Sequence, residues 1–210
     1  MFVNFASDKL KIMIQTTHLI LTRHGETLEN RQGIMQGHMP GTLSPLGIQQ
    51  ARDLADRLKE EKMDAIVCSD LARSYDTAKI VGDSRGLEPR PVALLREIDW
   101  GKYAGGKLAA IDWTRLPEGC ETLENLMGRA RKFMAWVCKE YPGRQVLVVG
   151  HGAIDRAILA CWEGKTAMEM AEMPIMQNTS FIRLNLKIGY DTRTWGSVSY
   201  THLTLPTNSL

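Results

Sequence analysis

The feature that most constrains the fold is a short apolar run that ends directly in an Arg-His-Gly turn. Residues 18–22 read HLILT, and Arg23, His24 and Gly25 follow at once. Aliphatic and β-branched residues bounded by glycine predict a buried strand that ends in a loop. Ligands of open α/β sheets bind just beyond the carboxyl ends of the strands. Arg23 and His24 are therefore predicted to lie at such a site, although three residues alone also fit a strand-end histidine beside a surface arginine.

Size and composition are those of one globular domain. The chain has 210 residues, 44% of them hydrophobic and 24% charged, with a net charge of +2. No basic run suggests nucleic acid or an anionic membrane surface as a partner, and no apolar stretch is long enough to span a bilayer. The four cysteines are scattered without metal-ligand spacing. We therefore expect reduced thiols in a cytoplasmic, bacterial protein.

The two ends differ from the rest of the chain. Met13 begins a run that leads into the first strand, so we expect residues 1–12 to be translated upstream sequence or a disordered arm. The segment 198–207 resembles one reading frame of a sequencing adapter, and we expect residues 197–210 to be adapter-derived or disordered. The domain is therefore predicted to span residues 13–196.

Helices and strands alternate along this domain. Ser44 at a cap and Pro45 at the first helical position predict a helix that runs to Lys62. The helical period of apolar residues predicts another helix over 121–140, which Pro142 ends. Further predictions are strands at 65–68, 92–95, 146–149 and 179–186, a helix from Ser69 or Asp70 to about Asp83, and a helix after His151. The alternation predicts a three-layer α/β/α sandwich around a mostly parallel sheet.

Residues suited to phosphate chemistry follow four of the predicted strands. They are Arg23 with His24, Arg73, Glu97 and His151. Two arginines, a protonated His151 and the amides of the following helix would surround the oxygens of a phosphate. An imidazole can accept the phosphoryl group, and Glu97 would protonate the leaving alkoxide, its pKa raised by the substrate dianion. Because arginines would neutralise the charge, we expect no metal and no cofactor.

The chain resembles the histidine phosphatase superfamily over about residues 18–186. The matching stretches are LTRHGET at 21–27 with Asn30, Gln36-Gly37, LSPLG at 43–47, SDLAR at 69–73, Arg96-Glu97, PEG at 117–119 and GHG at 150–152. The resemblance implies a phosphoglycerate mutase-like fold, a phosphohistidine on His24 and a proton donor at Glu97. It also implies a phosphate pocket and a substrate side built from Arg23, Arg73, His151 and Gly152, and from Asn30, Gln36 and Gly37.

The expected activity is metal-independent hydrolysis of small phosphorylated metabolites, and three alternatives stay open. A mutase of the same fold would carry a long insertion after Glu97, whereas about twenty residues separate Glu97 from Pro117 here. A protein phosphatase acting on phosphohistidine or phosphotyrosine would need a shallow pocket, and residues 98–122 are enough to cover the site in part. A catalytically inactive phosphate-binding module would lack one of the site residues. We expect Trp100, Trp113 and Trp136 to pack in the fold, with Trp113 as the one to test as a substrate wall, and the sequence is compatible with a homodimer.

Overall fold

The structure is a computed structural model that describes residues 12–191 and 198–200. One sheet contains six strands in the order β3-β2-β4-β1-β5-β6. The strands are β1 (Ile12–Arg23), β2 (Ala65–Cys68), β3 (Arg90–Pro91), β4 (Gln145–Gly150), β5 (Phe181–Asp191) and β6 (Val198–Tyr200). The helices are α1 (Leu28–Arg31), α2 (Pro45–Arg57), α3 (Ala72–Asp83), α4 (Leu123–Glu140), α5 (Gly152–Trp162) and α6 (Ala167–Glu172). Three short 3₁₀ helices span Ala93–Leu95, Gly101–Tyr103 and Leu108–Ala110.

Strand direction decides which chain segments meet at the site. Strands β3, β2, β4 and β1 run parallel to their neighbours, and Arg23 at the end of β1 pairs with Gly150 at the end of β4. Strand β5 runs antiparallel to β1, with Phe181 opposite Thr22. The start of β5 therefore lies at the same edge as the carboxyl ends of the parallel strands.

Alternate side chains of the sheet build two separate cores, because successive residues of a strand point to opposite faces. Leu19 and Leu21 belong to the core on the side of α4 and α5. Ile20 and Leu147 belong to the second core, together with Leu54 of α2 and Val81 of α3. Helices thus cover both faces of the sheet, which confirms the predicted three-layer α/β/α sandwich.

Side-chain hydroxyls cap α2 and α4, and the Ser44 cap is the one that the sequence indicates. Ser44 Oγ accepts a hydrogen bond from the Gly47 amide at 3.0 Å, and Pro45 is the first helical residue of α2. The hydroxyl of Thr122 accepts from the Asn125 amide at 3.2 Å, so α4 begins two residues later than predicted. Helix α2 ends at Arg57 rather than Lys62, because the Arg85 guanidinium binds carbonyl oxygens of the following turn.

Further predicted boundaries were wrong at the third strand and at the start of α3. The predicted third strand at 92–95 is a 3₁₀ turn, and the strand lies at Arg90–Pro91. The Val92 amide makes the last bond to β2, donating to the Cys68 carbonyl oxygen at 2.8 Å, and the chain then turns so that Leu95 is buried. Helix α3 is not capped by Ser69 or Asp70 but begins at Ala72, without a side-chain cap.

The ends of the chain fall largely outside the described residues. Ile12 is the first residue of β1, and nothing is described before it. Residues 198–200 form β6, which pairs antiparallel with β5. The predicted origins of residues 1–12 and 197–210 stay predictions. Within the described ranges, no helix has the length and apolar character needed to cross a membrane.

We expect Leu147→Ala to destabilise the fold strongly, because Leu147 is fully buried in the central strand β4. Loss of a buried leucine side chain costs about 2–5 kcal/mol of unfolding free energy. The matched control is Leu46→Ala, since Leu46 is 48% exposed on α2; its cost should stay under about 1 kcal/mol. Urea denaturation measures both, and equal losses would contradict the packing described here.

Candidate active site

A cavity of about 510 Å³ opens at the carboxyl edge of the sheet. Arg23 and His24 line it from the end of β1, Arg73 from α3, and Glu97 from the loop after β3. Gly152 lines it from the start of α5. The structure thus brings together residues that are far apart in the sequence. The volume is in the range of small-molecule sites, about 300–1,000 Å³.

The tautomer of His24 follows from its hydrogen bonds. Its Nδ1 lies 2.7 Å from the Gly25 carbonyl oxygen. A carbonyl oxygen only accepts, so Nδ1 carries the proton and Nε2 keeps its lone pair. Arg73 Nε donates to this Nε2 at 3.3 Å. Burial, followed by the charges of Arg23 and Arg73, lowers the pKa of His24 well below its usual value. The ring is therefore neutral near pH 7, with a nucleophilic nitrogen available.

Backbone contacts hold His24 in place. The His24 amide donates to the Gly150 carbonyl oxygen at 3.2 Å, and Asn178 Nδ2 donates to the His24 carbonyl oxygen at 2.8 Å. The next residue must be glycine, because a Cβ on Gly25 would lie 2.5 Å from the Gly47 carbonyl oxygen. The turn that follows β1 is therefore fixed by close packing against α2.

Arg73 is almost fully buried and organises the loop in front of it. Its Nη2 donates to the Gly37 carbonyl oxygen at 2.8 Å, and its Nη1 donates to that of Met39 at 3.0 Å. Burial lowers the pKa of Arg73 to about 10, so it stays charged at neutral pH. Gly37 adopts a φ of 51°, and a Cβ there would lie 2.9 Å from the Trp100 ring. The loop can therefore wrap around Arg73 only with glycine at this position.

Arg23 is bound less completely than Arg73. Its Nη1 donates to the Met176 carbonyl oxygen at 2.9 Å. Its buried Nε has no hydrogen-bond partner among the described residues. Burial lowers the pKa of Arg23, while the negative charge of the nearby Glu97 opposes that shift. Arg23 therefore keeps a donor that the described residues leave unsatisfied.

Glu97 is held through both its side chain and its backbone. Glu97 Oε1 accepts from the amides of Ala153 at 2.9 Å and Ile98 at 3.0 Å. The first turn of α5 therefore gives an amide to the carboxylate, whereas the sequence predicted that its amides would face phosphate. A Cβ on Gly152 would lie 3.6 Å from Glu97 Oε2 and 3.8 Å from Arg23 Cζ. The nearest atom to that Cβ would be Ile175 Cγ2, at 2.9 Å, so glycine at this position lets Ile175 pack against the start of α5.

An ion pair outside the cavity fixes the loop that carries Glu97. Arg129 of α4 binds Glu121 through two bonds, of 2.6 Å and 3.0 Å, and its Nη2 donates to the Glu97 carbonyl oxygen at 3.2 Å. His38 Nε2 lies 2.9 Å from the same carbonyl oxygen, so this nitrogen donates to it. Glu121 was expected in the first turn of α4, but it precedes the helix and serves as the partner of Arg129.

His151 lies beside His24 rather than on the cavity surface. The two ring centroids are 5.0 Å apart, with the ring planes inclined by 62°. His151 is fully buried, and neither ring nitrogen has a partner among the described residues. Burial, then the charge of Arg73, lowers the pKa of His151 well below its usual value. In the free site His151 is therefore neutral, and the protonated ring expected beside a bound phosphate stays a prediction.

The three predicted substrate-side residues line the cavity, but two of their side chains also make internal bonds. Asn30 Oδ1 accepts from the Thr27 amide at 3.3 Å within a capping box of α1. Gln36 Nε2 donates to Thr27 Oγ1 at 2.7 Å. Gly37 contributes its carbonyl oxygen to Arg73. These residues shape the cavity wall, and their contact with substrate stays a prediction.

Two residues of α5 escaped the sequence analysis. Asp155 is fully buried, and neither carboxyl oxygen has a partner among the described residues. Burial, and then the negative charge of Glu97, raises the pKa of Asp155 well above its ordinary value. Arg156 is 2% exposed and stacks on the Trp113 ring, with Cζ 4.0 Å from the ring centroid. An Asp-Arg pair inside an otherwise apolar helix was the available signal.

The segment before β5 also contributes to the site. Residues 175–178 line the cavity, and Asn178 holds His24. The signal was topological, because the first residues of an antiparallel strand lie at the edge where its parallel neighbours end. Among the described residues, no group of three or more His, Cys, Asp or Glu side chains is placed to hold a metal ion.

Comparison with known proteins agrees with this geometry. The profile of the histidine phosphatase superfamily (branch 1) matches residues 19–198. A metal-independent phosphoserine phosphatase of Arabidopsis thaliana is 31% identical over 169 residues, covering 72% of this chain and 71% of that protein. A glucosyl-3-phosphoglycerate phosphatase of Mycobacterium tuberculosis is 31% identical over 193 residues, 82% and 86% of the two chains. The solved structure of YhfR from Bacillus stearothermophilus has a TM-score of 0.73 at 28% identity and covers 89% and 96% of the chains.

We expect Asp155→Asn to change how stability depends on pH. The folded state holds the Asp155 proton more tightly than the unfolded state, so unfolding free energy is lost as pH rises above about 4. Asparagine does not titrate, so the Tm of the variant should rise relative to the parent between about pH 4 and pH 7. The control is the exposed Asp56→Asn. Calorimetry that gives a constant Tm difference across this range would contradict a protonated Asp155.

Proposed function

The chain belongs to the histidine phosphatase superfamily and is a phosphatase, and we propose that it hydrolyses phosphate monoesters through a phosphohistidine on His24. The observation that carries this proposal is the pair of bonds on the His24 ring. Nδ1 is fixed as the donor to the Gly25 carbonyl oxygen, so Nε2 is the unprotonated nitrogen, and its electron pair accepts only the 3.3 Å bond from Arg73 Nε. This nitrogen is next to Arg73, which is where a bound phosphoryl group would be held.

Charge complementarity supports binding of a dianion at this point. Arg23 and Arg73 both line the cavity beside His24, and Arg23 Nε is unpartnered. Charge-assisted bonds from guanidinium groups to phosphate oxygens are short and strong in a buried site. A bound dianion would also favour protonation of His151, whose pKa is lowered in the free site by burial and then by the charge of Arg73. His151 would then act as a donor only after the substrate has entered.

The first chemical step transfers the phosphoryl group to the protein. His24 Nε2 attacks phosphorus, and the bond between phosphorus and the ester oxygen breaks. The alkoxide is a poor leaving group, so it takes a proton from Glu97, which would be protonated once the substrate dianion lies beside it. Glu97 suits this role because its Oε1 is held by two amides while Oε2 is beside Gly152 in the cavity.

The second step releases phosphate. Glu97, now a carboxylate, removes a proton from a water molecule that attacks the phosphohistidine, and the phosphorus–nitrogen bond breaks. The phosphorylated ring keeps its Nδ1 proton, and the Gly25 carbonyl oxygen stabilises the positive charge that this leaves on imidazole. His24 then returns to the neutral state in which it began.

The arginines supply the charge neutralisation that a metal ion supplies in other phosphatases, so the proposed reaction needs no metal. Assays are therefore designed with EDTA throughout. The cavity of about 510 Å³ suits a small phosphorylated metabolite. We also place the protein in the cytoplasm, because its four cysteines are free thiols, two of them buried.

We expect His24→Ala to abolish turnover, with a loss of at least about 10⁴-fold in kcat. Rapid quenching of the parent enzyme during turnover should trap one phosphoryl group, labile to acid and stable to base, on the peptide containing residue 24. The control is His18→Ala, since His18 lies on the exposed part of the same strand. Phosphate trapped on another residue, or full activity of His24→Ala, would contradict the proposal.

We expect Glu97→Gln to slow alkyl esters much more than aryl esters. The ratio kcat/KM reports the steps up to release of the alcohol. In these steps only a poor leaving group needs a proton. For propyl phosphate kcat/KM should fall by about 10²- to 10⁴-fold. For p-nitrophenyl phosphate the loss should be less than about tenfold. Exposed Glu124→Gln is the matched control, and equal losses on both esters would rule out Glu97 as the proton donor.

A further inference from the structure

One side of the cavity is an apolar wall formed by Ile34, Met35, Trp100, Leu108 and Trp113. Two segments join to build it. The Met35 amide donates to the Gly106 carbonyl oxygen at 2.9 Å, and the Leu108 amide donates to that of Gly33 at 2.9 Å. Trp100 and Trp113 meet edge to face, with ring centroids 5.3 Å apart. The apolar wall is therefore a continuous surface held by backbone bonds, and it includes two indole rings.

The charged residues that line the cavity are all committed to the phosphoryl group. Among the described lining residues they are Arg23, Arg73 and Glu97, beside a neutral His24. Lys107 lies next to the apolar wall in sequence, but its Nζ donates to the Gln32 carbonyl oxygen at 2.9 Å. The other polar lining residues are the neutral amides Asn30, Gln36, Gln50, Gln177 and Asn178. No further cation in the described lining is available to a second anionic group of a substrate.

Arg156 does not add an available cation to the cavity. Its guanidinium is stacked on Trp113, and its Nη1 donates to the carbonyl oxygens of Ala171 at 3.3 Å and Met173 at 3.2 Å. It is 2% exposed and does not line the cavity, whereas Trp113 does. A substrate therefore meets the indole ring, and a carboxylate placed there would lose its hydration without gaining a partner.

We propose that the alcohol part of the natural substrate carries an aromatic or aliphatic group, and no carboxylate, which packs on the apolar wall. This inference rests on the proposed function, because it assumes that the phosphoryl group is bound by Arg23 and Arg73. It separates the chain from its relatives named for phosphoserine and glucosyl-3-phosphoglycerate, since both of those compounds carry a carboxylate. Burial of an apolar group in a preformed pocket supplies the preference.

The test uses three esters that differ in one group. Propyl phosphate, 2-phenylethyl phosphate and the phosphate ester of 3-hydroxypropanoate share a primary alkoxide and end in methyl, phenyl and carboxylate. We expect kcat/KM of the phenyl ester to exceed that of propyl phosphate by about tenfold or more, and the carboxylate ester to be the poorest. The proposal stands if the phenyl advantage is at least about threefold and the carboxylate ester does not exceed propyl phosphate. The proposal is overturned if either of these two conditions is not met.

Pairs of variants test whether the apolar wall causes the preference among the three esters. Trp113→Ala should reduce the ratio of the phenyl to the propyl ester toward one, while Trp136→Ala, outside the cavity on α4, should leave that ratio unchanged. Leu108→Lys places a cation in the apolar wall, so it should raise the ratio of the carboxylate to the propyl ester by about fivefold or more. Met168→Lys is its control, since Met168 is 55% exposed on α6. Ratios that do not respond to Trp113→Ala and Leu108→Lys overturn the proposal.

Failure of the proposed function and failure of the inference about the alcohol give different results. If the parent turns over none of the three esters, or His24→Ala turns them over as well as the parent, the proposed function itself fails. If all three are hydrolysed through His24 but the carboxylate ester is preferred, only the inference about the alcohol fails. Recognition would then have to involve Arg156, whose Nε and Nη2 have no partner among the described residues.

Discussion

The hydrogen bond from His24 Nδ1 to the Gly25 carbonyl oxygen is the interaction on which the active site depends. It decides which ring nitrogen is free, and the surrounding structure keeps that geometry. The Gly25 amide donates to Thr77 Oγ1 at 3.0 Å, and this hydroxyl donates to the Arg73 carbonyl oxygen at 2.7 Å. The turn that carries the nucleophile and the helix that carries its arginine are therefore locked together before any substrate arrives, which removes much of the cost of reorganisation.

The same region holds buried charge that the fold does not neutralise completely. Arg23, Arg73 and Arg156 are buried with only partial hydrogen bonding. Burial, and then the charges of the neighbouring arginines, lowers the pKa values of His24 and His151. Such burial costs stability, since a charge loses its hydration without a full partner. A phosphate dianion would offset that cost at the point where it binds. The protonated Asp155 adds no negative charge that would compete with substrate for the arginines.

Sequence reasoning found what is periodic or local, and missed what depends on strand direction and on loops. Periodicity located α4, and strand-end residues indicated His24, Arg73 and Glu97, because parallel strands bring their carboxyl ends together. Asn178 was missed because β5 runs antiparallel, so its first residues reach the same edge. The turn at Ala93–Leu95 looked like a strand because its residues are apolar. Asp155 was missed because periodicity marks the apolar residues of a helix and passes over a buried polar one.

The most direct test of the central claim is the protonation state of the His24 ring in the free enzyme. Long-range ¹H–¹⁵N correlation spectra of protein labelled in its histidines distinguish the two neutral tautomers from imidazolium. The account predicts that His24 is neutral at about pH 6, with the proton on Nδ1 and none on Nε2. A ring protonated on Nε2, or an imidazolium at that pH, would contradict it, because Nε2 would then have no electron pair with which to attack phosphorus.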